Sequence, residues 1–96
     1  MNELILKIEN TGTTTVGFGE PLYIEKLTSG TWYQIPYRNL AFADISLGIE
    51  PNSDYEQAVP LEHLDYQLTE GNYRIIKVFN VNEDESVLGA EFEIKE

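Results

Sequence analysis

His63 is the only histidine in this chain of 96 residues, and the chain contains no cysteine. Protein zinc sites are built from several histidine, cysteine or carboxylate ligands, and thiol catalysis needs a cysteine. No serine lies in the Gly-x-Ser-x-Gly motif that holds a nucleophile on a sharp strand-to-helix turn. His63 lies in the acidic run Glu62-His63-Leu64-Asp65. We therefore expect it to be a surface residue, and we expect no catalytic residue in the chain.

An acidic turn near the C-terminus carries several oxygen ligands in a short span. Its members are Asn80, Asn82, Glu83, Asp84 and Glu85. Calcium binds about six to eight oxygens, but the EF-hand loop needs a mid-loop glycine and a closing glutamate, and this segment has neither in place. A solvated hairpin tip is the preferred interpretation, and calcium binding at Glu83–Glu85 is the open alternative.

Glu91 and Glu93 are two carboxylates on one face of the last predicted strand, a pairing that acid–base catalysis can use. Charged residues on an edge strand also prevent sheets from joining edge to edge, and this is the simpler explanation. No phosphate-binding glycine loop accompanies them. The sequence therefore predicts a protein that is not an enzyme and that holds no cofactor and no metal.

Aromatic residues cluster around one predicted hairpin, at Trp32, Tyr33 and Tyr37. Exposed aromatic side chains of this kind can stack on sugars or anchor a protein partner, so Tyr33, Tyr37 and Arg38 form the predicted recognition surface. Trp32 is instead expected to pack against the core. Burial of both tyrosines would contradict the recognition hypothesis.

The formal net charge of −11 limits the classes of partner. Nucleic-acid phosphate and anionic membranes both attract basic surfaces, so we expect neither as a partner. No apolar run has the length of a membrane-spanning helix, so we also expect no direct membrane insertion. The remaining expectation is an unknown protein or cell-surface partner, contacted by a domain that is monomeric in isolation.

Alternating apolar residues predict short strands along most of the chain. The pattern begins at Leu4 and ends with a regular inward face made of Leu88, Ala90, Phe92 and Ile94. Turn residues recur about every 8–12 positions, as in a sandwich. Leu61, Leu64 and Leu68 have helical spacing, so a short helical turn that crosses from one sheet to the other is expected there. The sequence predicts a single domain over residues 1–96, an all-β, immunoglobulin-like antiparallel sandwich of about seven to eight strands.

Leu68, Gly71 and Tyr73 have the spacing of a tyrosine corner, which fixes the entry of strand F in immunoglobulin-like sandwiches. The Tyr73 hydroxyl should then bind backbone near Leu68–Glu70. Side-chain alternation from Tyr73 directs Lys77 toward the core. An inward lysine could be explained by a central strand that is covered on both faces, by a bulge in the strand, or by a side chain whose ammonium reaches water.

The charges of Glu25 and Arg74 predict an ion pair. Strands C and F adjoin in immunoglobulin-like sheets, and opposite charges on neighbouring strands attract. This pair is expected to support the fold rather than a function.

Taken together, these segments resemble a bacterial immunoglobulin-like domain of the kind found in Firmicute lipoproteins and exported proteins. The resemblance runs from about Leu4 to Phe79. The matching residues are Ile8-Glu9-Asn10, Tyr23-Ile24-Glu25-Lys26, Gly30-Thr31-Trp32, and Leu68 with Gly71-Asn72-Tyr73-Arg74. It implies a non-catalytic module that serves as a spacer or as a protein- or ligand-recognition domain of a surface or secreted protein.

The cellular compartment that we expect for this protein depends on whether Met1 is the native start. Exported relatives begin with a signal or a lipobox, and neither stands before Met1. A cytoplasmic location follows if Met1 is the native start. A cell-surface or secreted location follows if the chain is a fragment of an exported protein.

The chain is also similar to the small intracellular proteinase inhibitors of bacilli, through Asn10-Thr11-Gly12 and the segment from Leu68 to Tyr73. This implies an alternative function, inhibition of a proteinase through an exposed loop. The candidate loops are Pro36–Phe42, which contains Arg38, and Asn82–Ser86.

Overall fold

Eight strands run through residues 4–95, which are the residues that the computed structural model describes. The strands are β1 (Ile5–Glu9), β2 (Val16–Phe18), β3 (Tyr23–Thr28), β4 (Thr31–Ile35), β5 (Leu47–Ile49), β6 (Asp54–Ala58), β7 (Gly71–Val81) and β8 (Asp84–Ile94). Strands β1 and β6 form one antiparallel sheet, and the other six strands form the second sheet. The two sheets make an all-β sandwich, and a single 3₁₀ turn at Leu61–His63 is the helical segment of the described part of the chain.

Strand β7 lies at the centre of the larger sheet. Strand β8 pairs with it from one end to the other and therefore occupies one whole edge of β7. Strands β3 and β2 share the opposite edge, β3 beside Tyr73–Ile76 and β2 beside Phe79–Asn80. The chain crosses from β2 to β3 through Gly19–Pro21, opposite the interval where β7 has no strand partner on that edge.

The β7–β8 hairpin turns on two residues, Asn82 with φ 49° and Glu83 with φ 72°. Two positive φ angles in succession give the turn type whose twist suits a tight hairpin. Asp84 and Ser86 already pair with β7. The expectation of a loop over Asn82–Ser86 is therefore wrong, because only the first two of these residues leave the ladder.

Two apolar clusters fill the space between the sheets. One surrounds the first half of β7 and contains Leu22, Ile24, Ile35, Val59, Leu64, Tyr73 and Ile75. The other surrounds its second half and contains Phe18, Ile49 and Phe79. The alternation predicted from Tyr73 is confirmed, because Tyr73, Ile75, Lys77 and Phe79 are all buried.

Lys77 lies between the two clusters and is 2% exposed. Its Nζ donates to the carbonyls of Gly19, Glu20 and Pro21 at 2.8, 3.3 and 3.0 Å. These carbonyls belong to the crossing between β2 and β3, where β7 has no strand partner on that edge. The ammonium therefore supplies donors to backbone acceptors in the gap. The β7–β8 register is unbroken, so neither a bulge nor exposure to water explains the inward lysine.

Within residues 4–95, Asn10 is the other buried polar side chain. Its Nδ2 donates to the carbonyls of Thr14 and Ile49, both at 2.8 Å, and its Oδ1 accepts the Gly12 N–H at 3.0 Å. One amide therefore fixes the turn after β1 and attaches it to the end of β5. Here the Asn-Thr-Gly sequence has a structural role.

The inward face predicted for the last strand is only partly covered. Phe92 packs on Tyr73, with ring centroids 5.4 Å apart, but Leu88 is 59% exposed and Ala90 is exposed too. The expectation of a continuous buried face is wrong. In the part of the chain that the structure describes, the opposing sheet has two strands, and a sheet of this width leaves Leu88 and Ala90 uncovered.

Trp32 faces away from the core, so the expectation that it packs there is also wrong. It pairs with Leu27 on the outer face of the larger sheet, and the Arg74 guanidinium carbon lies 4.3 Å from its ring centroid. Arg74 Nε also donates to Glu25 Oε1 at 2.6 Å, and the two residues are directly opposite in the β3–β7 ladder. The predicted Glu25–Arg74 pair is confirmed.

Candidate recognition surface

Lys26 and Tyr33 stand opposite each other on β3 and β4. They share a face with the buried pair Ile24 and Ile35 but lie further along the strands, where Tyr33 is 58% exposed. Lys26 Nζ donates to Tyr66 Oη at 3.0 Å and to Thr69 Oγ1 at 2.8 Å. The lysine therefore holds a second exposed tyrosine on the side of the sandwich where Tyr33 projects.

The hydrogen bond between Lys26 and Tyr66 shifts the pKa values of both side chains. It is the main cause that raises the pKa of Lys26 above its usual value, and it lowers the pKa of Tyr66. The ammonium is therefore charged at neutral pH. Its position 5.4 Å from the centre of the Tyr66 ring adds a cation–π contact.

Arg38 and Asp65 form an exposed ion pair on the segment that adjoins Tyr66 in the chain. Arg38 Nε lies 3.1 Å from Asp65 Oδ1, and Nη2 binds the same oxygen. The backbone is braced at the same place, because the Arg38 N–H donates to the His63 carbonyl at 2.7 Å and the Asp65 N–H donates to the Pro36 carbonyl at 2.8 Å. Asp65 immediately precedes Tyr66, so one segment links the ion pair to the lysine–tyrosine contact.

We name these residues the tyrosine–arginine surface. It consists of Lys26, Tyr33, Arg38, Asp65 and Tyr66. Two of the predicted recognition residues, Tyr33 and Arg38, lie on it with their side chains exposed. Sequence reasoning missed Lys26 and Tyr66, which are 40 positions apart, because no local pattern links them.

Tyr37, the third predicted residue, points elsewhere. Its hydroxyl donates to the Leu22 carbonyl at 2.8 Å, and its ring packs against those of Tyr23 and Phe42, with centroids 6.4 and 5.5 Å away. Burial, together with the nearby Tyr23, raises the pKa of Tyr37 to about 12. Tyr37 therefore anchors the segment that carries Arg38.

The other residues considered for chemistry are not part of this surface, although the His63 backbone adjoins it through the bond to Arg38. His63 Nε2 is 3.8 Å from the carboxylate of Glu62. Within residues 4–95, no three His, Asp or Glu side chains are grouped so that they could hold a metal ion, and the acidic turn at Glu83–Glu85 forms no such group. No helix in the same range is long and apolar enough to cross a membrane.

Comparison with known proteins agrees with the architecture. A family model described as a bacterial Ig-like domain matches residues 1–93. No curated protein and no solved structure matches the chain. Because the family match covers nearly the whole chain and the strands form a two-sheet sandwich, the chain belongs to the family of bacterial Ig-like domains.

Proposed function

We propose that this domain is a non-catalytic recognition module of a surface or secreted bacterial protein and that it binds a protein partner through the tyrosine–arginine surface. The observation that carries the proposal is the Lys26–Tyr66 contact beside Tyr33. Tyrosine and arginine are over-represented among the residues that dominate binding energy. A side chain fixed before binding loses less entropy on association, and Lys26 fixes Tyr66 in this way.

Site-specific photo-crosslinking in the producing bacterium tests the proposal. A photoreactive phenylalanine analogue at position 33 should capture one discrete protein, and Arg38→Ala together with Tyr66→Ser should abolish the product. The matched control is the same analogue at position 45, since Ile45 is also exposed and lies outside the strands and residues of the proposed surface. If the domain is only a spacer, no crosslinked product should depend on the analogue at position 33. That result would overturn the recognition role.

The turn that leads into β7 fits a tyrosine corner, and we assign it that role within the Ig-like fold. Two hydrogen bonds support the assignment. The Tyr73 hydroxyl donates to the Thr69 carbonyl and accepts the Thr69 N–H. Such a corner fixes the start of the strand to which β3 and β8 are attached.

Proteinase inhibition is a second candidate, favoured by the bracing of Pro36–Phe42. Inhibitory loops must be rigid, and this one is held by the Tyr37 hydroxyl, by backbone bonds to Leu61–Asp65 and by the Arg38–Asp65 pair. Trypsin, which cleaves after arginine, is the appropriate probe. Inhibition of trypsin at micromolar concentrations of the domain, lost in Arg38→Ala, would support this function. The absence of inhibition at these concentrations would exclude trypsin-like proteinases as targets.

A further inference from the structure

One side of the sandwich is open between β1 and β8. Among the described residues, β1 pairs only with β6 and β8 pairs only with β7. Each strand therefore has one edge of backbone N–H and C=O groups without a strand partner. Two adjoining cavities of about 220 and 260 Å³ lie between these strands. We call this region the β1–β8 groove.

The groove is lined mainly by apolar side chains. Ile8 of β1, Phe79 of β7 and Leu88 of β8 border both cavities. Leu88 is 59% exposed although it lies on the inward face of β8. A strand with apolar residues and a free edge is a ready site for pairing with another strand.

Charge distinguishes the possible occupants. Glu85, Glu91 and Glu93 project from the other face of β8 and are exposed. If a second copy paired antiparallel about Gly89, Glu85 of each chain would lie opposite Glu93 of the other. Like charges directly opposite each other destabilise a sheet, and each chain already has a net charge of −11.

We propose that the β1–β8 groove binds an extended segment of a protein partner that has alternating apolar and basic residues. The segment pairs with the free edge of β8. Its apolar side chains enter the groove beside Leu88, and its lysine or arginine side chains meet Glu85, Glu91 and Glu93. This site is separate from the tyrosine–arginine surface, which involves β3 and β4.

A synthetic peptide of seven residues in which lysine alternates with valine is the probe, with acetylated and amidated ends. Titration followed by NMR should shift the backbone amide signals of β8, and hydrogen exchange at Val87–Glu91 should slow. Binding should weaken as salt rises, because exposed charges are screened. The control peptide carries glutamate in place of each lysine and should not bind.

Two variants separate the contributions of shape and charge. Leu88→Ser leaves the charge unchanged and should weaken binding about tenfold or more without unfolding the domain, since Leu88 is mostly exposed. Glu85→Lys with Glu93→Lys should reverse the preference between the two peptides. Tyr33→Ser should leave peptide binding unchanged, so failure here and failure of the proposed recognition surface can be told apart.

Three outcomes would overturn the proposal. The first is absence of β8 shifts at millimolar lysine peptide. The second is equal binding of the glutamate peptide. The third is a dimer of the domain alone that protects the β8 amides, because the groove would then be occupied by a second copy.

Discussion

The hydroxyl of Tyr73 and the backbone of Thr69 form two reciprocal hydrogen bonds. The hydroxyl donates to the Thr69 carbonyl at 2.6 Å and accepts the Thr69 N–H at 3.0 Å. Tyr73 is fully buried, so Tyr73→Phe should leave both backbone groups without this partner. We expect a loss of about 1–2 kcal/mol in the free energy of unfolding, measured by urea denaturation. Tyr33→Phe, at an exposed position, is the control and should change stability little. Equal stability of the Tyr73→Phe and wild-type proteins would contradict the prediction.

The location of this contact was predictable because it is local. The bond falls within Leu68–Glu70, where the spacing placed it, and the same alternation correctly directed Lys77 inward. Glu25 and Arg74 were predictable as well, since strand pairing brings opposite charges together.

Other features depend on how the sheets are assembled. The role of Lys77 arises from a gap between β2 and β3 that no local pattern encodes. The exposure of Leu88 follows from the width of the opposing sheet. Tyr66 belongs to the candidate surface because its hydroxyl accepts a hydrogen bond from Lys26, a residue 40 positions away. Periodicity determines which face a side chain occupies but does not determine what covers that face.

Arg74 bridges Glu25 and Trp32 on the outer face of the sheet, with the Arg74 and Glu25 side chains 32% and 21% exposed. A double-mutant cycle of Glu25→Gln and Arg74→Met should give a favourable coupling of about 0.5–1 kcal/mol. The coupling should fall at high salt. A coupling of zero at low salt would mean that the pair contributes nothing to stability.

Lys77 stabilises the crossing between β2 and β3 through its three carbonyl contacts. Lys77→Met keeps a long side chain but removes the donors, so thermal and urea unfolding should show a loss of about 1–3 kcal/mol. Burial lowers the pKa of Lys77, because removing the ammonium from water has a free-energy cost. The variant no longer bears this cost, and the gain offsets part of the stability that is lost with the hydrogen bonds. Lys7→Met is the exposed control. A gain in stability for Lys77→Met would show that desolvation outweighs the three hydrogen bonds.

Tyr37 should make stability decrease at alkaline pH. Its pKa is about 12 in the folded protein, against about 10 in the unfolded chain. Between these values the unfolded state has released the proton that the folded state retains, so the free energy of unfolding falls as pH rises. The wild type should lose about 1–2 kcal/mol more than Tyr37→Phe between pH 10 and pH 12. Parallel stability curves for the two proteins would contradict this assignment.

Glu83 occupies the least favourable backbone conformation of the β7–β8 turn. Its φ of 72° is in the left-handed region, which costs a residue with a Cβ roughly 1–2 kcal/mol. The preferred sequence for this turn is Asn-Gly, and Asn82 already occupies the first position. Glu83→Gly should therefore raise the free energy of unfolding by about 1 kcal/mol and should increase the melting temperature. Glu85→Gly removes the same charge from a residue paired in β8 and should instead lower stability by about 0.5–1 kcal/mol. If both variants changed stability equally, the removal of charge rather than the turn geometry would be the cause.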